Sequence, residues 1–411
     1  MTILKDLCTL IVDCEHKTAP TQDTGYPSIR TPNIGRGRLL LGGVNRVSEE
    51  TYRLWTQREV PQQGDLVLAR EAPIGNVAII PPGLKVCLGQ RTVLIRPNEQ
   101  KINAQYLTYL LLGDEIQGRI QSMSNGATVH HLNMSDIRNL EVPPLPSPKV
   151  QDQIASILSA YDDLVENNTR RIGILEEMAQ MIYREWFVNF RFPGHEIVEM
   201  VESEMGLIPR GWMVEPLREV ATLISRGISP QYDDDARGIV INQKCIRDGR
   251  LSLEHSRRQS KKISEDKLIR LGDVLINSTG VGTLGRVAQV LEPISDCTVD
   301  SHVSIVRSKL NSEFFGRTLL QLEEHFERLG VGSTGQTELS RERIGSTTVI
   351  VPTAEWQERF SQVVAPINKM TVCCLARNSN LRQTRNLLLP RLVSGEVSVQ
   401  QVEAEAVAQG V

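Results

Sequence analysis

Three glycines, Gly280, Gly282 and Gly285, have the spacing of a phosphate-binding loop. They follow an apolar run at 274–276, and Asp300 lies about 20 residues beyond the first of them, as in a dinucleotide-binding fold. That fold needs a helix after the glycines, whereas residues 286–290 alternate as a strand would. We therefore expect a loop that offers backbone amides to a phosphate group, with nucleotide binding as the alternative.

Several acidic and histidine groups could belong to a catalytic or metal site. Glu265 and Lys267, with Asp248 upstream, resemble a nuclease set, while 233–235 is an acidic run and 130–131 a histidine pair. A helix start, a solvated loop and a surface or DNA-facing pair explain them equally simply. Walker A, HExxH, Asn-Pro-Pro-aromatic and CxxC motifs are absent. We predict no catalytic residue, no metal and no cofactor in this chain.

The composition is that of an ordinary water-soluble chain. It has 411 residues, 40% of them hydrophobic and 23% charged, with a net charge of −3. No apolar run is long enough for a membrane span, no signal peptide is evident, and the cysteines fit a reduced, cytoplasmic setting. The segment 244–262 nevertheless holds seven basic and two acidic residues. Either phosphate binding or a solvated charged face would explain that segment.

An internal repeat positions these groups. The residues Gly64-Asp65-Leu66-Val67 recur at 272–275, and the segment 132–137 recurs at 339–344. An apolar segment ending at Pro144 and one ending at Pro352 keep nearly the same offset. In each copy, short strand-like runs precede one short helical stretch and then one long helical pattern. A tandem duplication is therefore predicted.

Both long helical patterns carry a heptad stripe. In the first it runs from Ile154 to Trp186, and in the second from Phe360 to Leu392. Such a repeat is typical of a coiled coil, although two amphipathic helices packed on separate domains would also explain it.

Antiparallel pairing of the helices is expected, because the second helix can then start near the end of the first. Placing Ile154 opposite Leu392 sets the lone asparagines of the two stripes, Asn168 and Asn378, opposite each other. Facing amides satisfy one another and fix a register. The same register places Tyr161 beside Arg385.

The segment 154–194, IASILSAYDDLVENNTRRIGILEEMAQMIYREWFVNFRFPG, resembles the central region of type I restriction-modification specificity subunits. Its lead-in LEVPPLPSPKVQDQ and the second-half segments IVINQKCIRDGRLSL, GDVLINSTGVGTLGRV and STGQTELSRERI resemble that family too. The second long helix departs most, with adjacent cysteines and polar stripe residues.

The resemblance implies an α+β fold, with two mixed α/β target-recognition domains separated by two long helices in an antiparallel coiled coil. The expected segments are recognition domain 1 (1–147), central spacer helix (148–190), linker (191–210), recognition domain 2 (211–352), distal spacer helix (353–395) and acidic tail (396–411).

It also implies a sequence-specific subunit that reads a bipartite site on double-stranded DNA. Two modification subunits, which methylate adenine, would dock on the helices, and restriction subunits could join them. S-adenosylmethionine, ATP and Mg would be bound by those partners. The alternatives are a nuclease or methyltransferase with an unrecognised active site, and a coiled-coil adaptor that binds no DNA.

Candidate DNA contacts are polar and basic residues of types that read base edges or hold phosphates. In the first half they are Arg30, Asn33, Arg36, Arg38, Arg70, Asn125, Thr128 and His130. In the second half they are Asn242, Gln243, Lys244, Arg257, Arg258, Lys261, Ser333, Gln336 and Thr337.

Overall fold

A computed structural model describes residues 2–71, 73–123, 131–330 and 338–401. The chain divides into two compact units. Unit 1 comprises Met1–Asn167 and Asn378–Val411, and unit 2 comprises Asn168–Arg377. Each unit therefore contains part of both long helices. The mixed α/β fold with long helices agrees with the predicted fold class.

Unit 1 is built on a five-stranded sheet of order β2-β9-β6-β7-β4. Its pairs are antiparallel except for β4 with β7, and a smaller sheet has the order β5-β3-β8. The strands are β1 Thr2–Ile3, β2 Cys8–Asp13, β3 Tyr26–Ile29, β4 Gly37–Arg38, β5 Arg46–Val47, β6 Leu66–Ala69, β7 Val77–Ile79, β8 Cys87–Leu88, β9 Thr92–Pro97 and β10 Glu141–Val142. The short helices are α1 Glu49–Trp55, α2 Ala104–Leu112, α3 Asp114–Met123 and α4 Met134–Arg138.

The first long helix is α5, Pro148–Tyr183, and a π-helical turn, Arg184–Val188, follows it. Within unit 1, Ile154 and Leu158 of α5 share an apolar core with Leu389 and Leu392 near the end of the second long helix. Residues early in one helix thus meet residues late in the other, as antiparallel pairing requires.

Unit 2 repeats this architecture with a sheet of order β14-β22-β19-β20 and a smaller sheet of order β18-β15-β21. Its strands are β11 Met200–Ser203, β12 Gly206–Pro209, β13 Met213–Pro216, β14 Ala221–Arg226, β15 Gly238–Ile241, β16 Ile246–Arg247, β17 Arg250–Leu251, β18 Arg257–Gln259, β19 Val274–Asn277, β20 Val287–Gln289, β21 Cys297–Val299, β22 Val303–Ser308 and β23 Thr348–Val351. Its helices are α6 Leu217–Val220, α7 Ser312–Gln321, α8 Glu323–Arg328, α9 Arg341–Ser346 and the second long helix, α10 Ala354–Val393.

In unit 2 the helix pairing is again antiparallel. The rings of Tyr183 and Phe360 lie 6.0 Å apart, and so do those of Trp186 and Phe360. The late part of the first helix therefore packs against the early part of α10. The predicted linker at 191–210 is not featureless, because β11 and β12 form an antiparallel hairpin within it.

Both sheets are covered on their two faces, which explains the apolar strand runs. In β6, Leu66 and Leu68 point into one core, and Val67 points into the core on the other face. In β19, Val274 and Leu275 divide in the same way. Strand side chains alternate between faces, so a strand buried on both sides needs apolar residues at every position.

The repeated anchor Gly-Asp has a structural cause. Asp65 is 2% exposed and accepts two hydrogen bonds from Arg96, both 2.8 Å. Asp273 is 1% exposed and binds Arg307 in the same bidentate manner, at 2.8 and 2.7 Å. A buried carboxylate is stable only when its charge and lone pairs are satisfied, which ties the aspartate to its arginine in both copies.

The repeated glutamine at the start of each long helix holds the neighbouring short helix. Gln151 accepts from the backbone N–H of Asn103 at 3.0 Å and donates to the carbonyl of Pro146 at 3.0 Å. In unit 2, Gln357 binds Asn311 and Pro352 through the same atoms, at 3.1 and 2.9 Å. These bonds fix where each long helix leaves its unit.

In the part of the chain that the structure describes, no helix is both long enough and apolar enough to cross a membrane.

Candidate nucleic-acid interface

The basic edge of unit 2 is formed by Arg257, Arg258 and Lys261, at and just after β18. β18 pairs with β15 so that Arg258 lies opposite Ile239. The guanidinium of Arg257 lies 3.5 Å from the centroid of the Tyr232 ring. Arg258 donates to the carbonyl of Arg237 at 2.8 Å, and Lys261 donates to that of Ser229 at 3.0 Å.

These three side chains are exposed. Each contact positions its cation but uses only part of its donor capacity, because a guanidinium has five N–H groups and an ammonium three. The basic edge can therefore donate to phosphate oxygens or base edges without losing the contacts that orient it.

Unit 1 has the same arrangement at β3, which pairs antiparallel with β5 and parallel with β8. Arg46 in β5 stands where Arg258 stands in unit 2, 212 residues further along. It donates to the carbonyl of Gly25 at 2.8 Å, and Gly25 is the counterpart of Arg237. Arg46 was missing from the sequence candidates. Aligning IRTPNIGRGR with INQKCIRDGR would have revealed it.

The turn that follows the central strand of each small sheet carries four further candidates. In unit 1 the exposed Arg30 precedes a 3₁₀ turn, and Asn33 accepts from its backbone N–H at 3.1 Å. In unit 2, Asn242 accepts from the N–H of Lys244 at 2.8 Å and donates to the carbonyl of His255 at 2.5 Å. Lys244 is exposed beside the basic edge.

The glycine-rich loop lies against Gln243. Residues Gly280, Gly282 and Gly285 have φ of 107°, 71° and 84°, a region that glycine alone enters freely. A Cβ on Gly280 would lie 2.4 Å from the side-chain oxygen of Gln243. After the loop comes β20, antiparallel to β19, where a dinucleotide fold would place a helix. The loop is therefore a hairpin connection, and contact with a phosphate stays a prediction.

Three candidates of the first half are instead held inside unit 1. Arg36 donates to the carbonyl of Leu112 at 3.0 Å, and Arg38 forms ion pairs with Asp163 and Glu166 of α5. Arg70 is 6% exposed and donates to the carbonyl of Leu132 at 2.8 Å. Their acceptors lie far along the chain, so the sequence could not reveal that these donors are engaged.

Six candidates fall outside the described residues: Asn125, Thr128, His130, Ser333, Gln336 and Thr337. No structural statement is made of them.

The carboxylates considered for catalysis do not assemble. Lys267 donates to Ser225 and to the carbonyl of Arg226, while Glu265 is exposed. Asp233 accepts from the N–H of Asp235 at 3.1 Å, as in an ordinary turn. Among the residues that the structure describes, no three His, Cys, Asp or Glu side chains are grouped to hold a metal ion.

The helix-register residues are placed as follows. Asn168 and Asn378 are 7% and 2% exposed, and neither unit contains both, so their contact stays a prediction. Arg385 pairs with Asp162, one position from the Tyr161 that the heptad places beside it. A cation in an apolar seam is drawn to a carboxylate within reach, which explains this difference.

Comparison with known proteins places the chain. Residues 3–177 match the family described as the type I restriction modification DNA specificity domain. The specificity subunit of the type I restriction enzyme MjaIX from Methanocaldococcus jannaschii is 27% identical over 369 residues, 88% of this chain and 83% of the relative. That of HindI from Haemophilus influenzae is 23% identical over 375 residues, 74% of this chain and 80% of the relative.

A crystal structure of the S subunit of a type I restriction-modification system from M. genitalium has a similar fold. The TM-score is 0.57 at 15% identity, and 95% of each chain is covered. The resemblance predicted from the sequence is confirmed: this chain belongs to the specificity subunits of type I restriction-modification systems.

Proposed function

We propose that this chain is the non-catalytic DNA-reading subunit of a type I complex, with each unit reading one half of a bipartite site. The observation that carries the proposal is the matched pair Arg46 and Arg258. Two exchangeable sets of donors on one repeated strand arrangement suit two separated half-sites on one duplex. The names of the relatives, which are specificity subunits, support the same role.

Two modification subunits would dock on the long helices. In unit 1, each helix exposes one apolar side chain, Leu164 (51%) and Leu387 (62%). In unit 2, the residues at the repeat-related positions are Met370 (56%) and Met181 (50%). Water-exposed apolar residues that recur in both copies support two equivalent docking surfaces for one kind of partner.

The chemistry would then reside in those partners. The modification subunits would bind S-adenosylmethionine and methylate adenine, and restriction subunits would bind ATP and Mg. A nuclease or methyltransferase site within this chain is the first alternative, and an adaptor that binds no DNA is the second. Neither is favoured by a specific contact among the described residues.

Exchange of one half of the chain tests the proposal. Residues 211–352 would be replaced by the corresponding region of a relative with a different target, and the hybrid would be assembled with its modification subunits. Mapping of methylated adenines should show one half-site changed and the other retained, because distant sites act independently. Changes in both half-sites, or methyl transfer by the isolated chain, would refute it.

A further inference from the structure

Unit 2 contains a cavity of about 80 Å³ between α7, α10 and the strands β17 and β20. Its walls are largely apolar, with Leu251, Val290, Leu291, Ile294, Leu320 and Leu375 among them. Two polar side chains that also line it, Arg317 and Asn368, are only 9% and 6% exposed. The cavity lies apart from the basic edge that we assign to DNA.

Arg317 is a buried cation that lacks a counter-charge. It donates from Nη2 to Oδ1 of Asn368 at 2.9 Å, while its Nε and the Nδ2 of Asn368 have no hydrogen-bond partner. Within the described part of the chain, no carboxylate oxygen lies within 4.0 Å of its guanidinium nitrogens; the nearby Glu176 pairs with Arg250. Burial lowers the pKa of Arg317. An unpaired buried cation with free donors calls for an acceptor.

The repeat shows which group is missing. Tyr109 and Asp162 of unit 1 correspond to Arg317 and Asn368 of unit 2, at offsets of 208 and 206 residues. In unit 1 the second position supplies a carboxylate, which accepts from Tyr109 at 2.7 Å and pairs with Arg385. Unit 2 has the cation at the first position and a neutral amide at the second.

We propose that this cavity binds a small carboxylate with a short apolar chain. The two free donors, Nε of Arg317 and Nδ2 of Asn368, would hold the carboxylate oxygens, and the leucine and isoleucine walls would cover the chain. An inorganic anion would satisfy the donors but leave those walls uncovered. A neutral molecule of the same shape would leave the charge of Arg317 uncompensated.

Calorimetric titration of the full chain with sodium butyrate and with butyramide, at equal ionic strength, tests the proposal. Butyrate should bind at least about tenfold more tightly, because hydrogen bonds to a charged acceptor are the stronger ones. Inorganic phosphate serves as the third ligand and should bind more weakly than butyrate. Equal binding of butyrate and butyramide, no binding of either, or tighter binding of phosphate would overturn the proposal.

The variant Asn368→Asp places a carboxylate beside Arg317. It should abolish butyrate binding and raise the thermal midpoint of the ligand-free chain. Asn380→Asp adds the same charge at an exposed position of the same helix and should change neither property. Undiminished butyrate affinity in Asn368→Asp would contradict the assigned site.

Discussion

Arg385 of α10 donates to one oxygen of Asp162 on α5, and the hydroxyl of Tyr109 donates to the other oxygen at 2.7 Å. The side chains of Arg385 and Asp162 are 14% and 6% exposed, so the pair is largely removed from water. Burial and the charge of Asp162 raise the pKa of Tyr109, which keeps its hydroxyl a donor. This triad connects both long helices and α2 within unit 1.

Replacing Asp162 with Ala should destabilise the chain by about 3–5 kcal/mol, because it leaves Arg385 buried without a counter-charge. Chemical denaturation monitored by circular dichroism would measure the loss. The control is Asp163→Asn, which removes a neighbouring carboxylate whose side chain is 70% exposed. It should cost about 1 kcal/mol or less. Similar losses in both variants would show that the buried pair is unimportant.

Replacing Arg257, Arg258, Lys261 and Lys262 together with Ala should weaken DNA binding and flatten its dependence on salt. Each lost phosphate contact lowers the salt slope by about 1. Binding isotherms at several salt concentrations give both quantities. The charge-matched control replaces four exposed basic residues of α10: Arg359, Lys369, Arg377 and Arg382. An equal loss in the control would make the effect one of net charge.

Arg46→Ala should resemble Arg258→Ala, with each variant impairing one half of the target. We expect each to weaken binding and to lower the salt slope by about 1. DNA duplexes altered in one half-site at a time would assign each arginine to its half. If both variants responded to the same half-site, the repeat would not correspond to the bipartite target.

Replacing Leu164 and Leu387 with Lys should remove one modification subunit from the assembled complex and leave the other. A charge in an apolar contact is costly unless it is paired, and unit 2 keeps its own exposed pair. Native mass spectrometry under saturating partner would count the subunits. The corresponding change of Met181 and Met370 should also leave one, and all four changes together should leave none. Retention of both subunits would place docking elsewhere.

Asn168→Ala and Asn378→Ala test the register predicted from the heptad. If the two amides face each other, a double-mutant cycle should give a coupling energy between about 0.5 and 3 kcal/mol. Additive losses would mean that they do not interact.

The fold followed from the sequence wherever the pattern was local. The heptad stripes, the doubly buried strands and the repeated Gly-Asp each reflect contacts that the residue itself requires. The site residues were harder to predict. Whether an arginine is free to bind DNA depends on acceptors far along the chain, as with Arg38 and its partners on α5. Arg46 was missed because its half of the small sheet keeps a different offset from the anchors that defined the repeat.

The division of the helices between the units sets an order for folding during synthesis. Unit 2 is continuous in sequence, from Asn168 to Arg377, so all of it leaves the ribosome before residue 378. Unit 1 buries Ile154 and Leu158 against Leu389 and Leu392, which are made later. The first half of unit 1 must therefore wait, with apolar helix residues uncovered, while unit 2 is completed. During that interval the nascent chain depends on chaperones or on early capture by a partner to avoid aggregation.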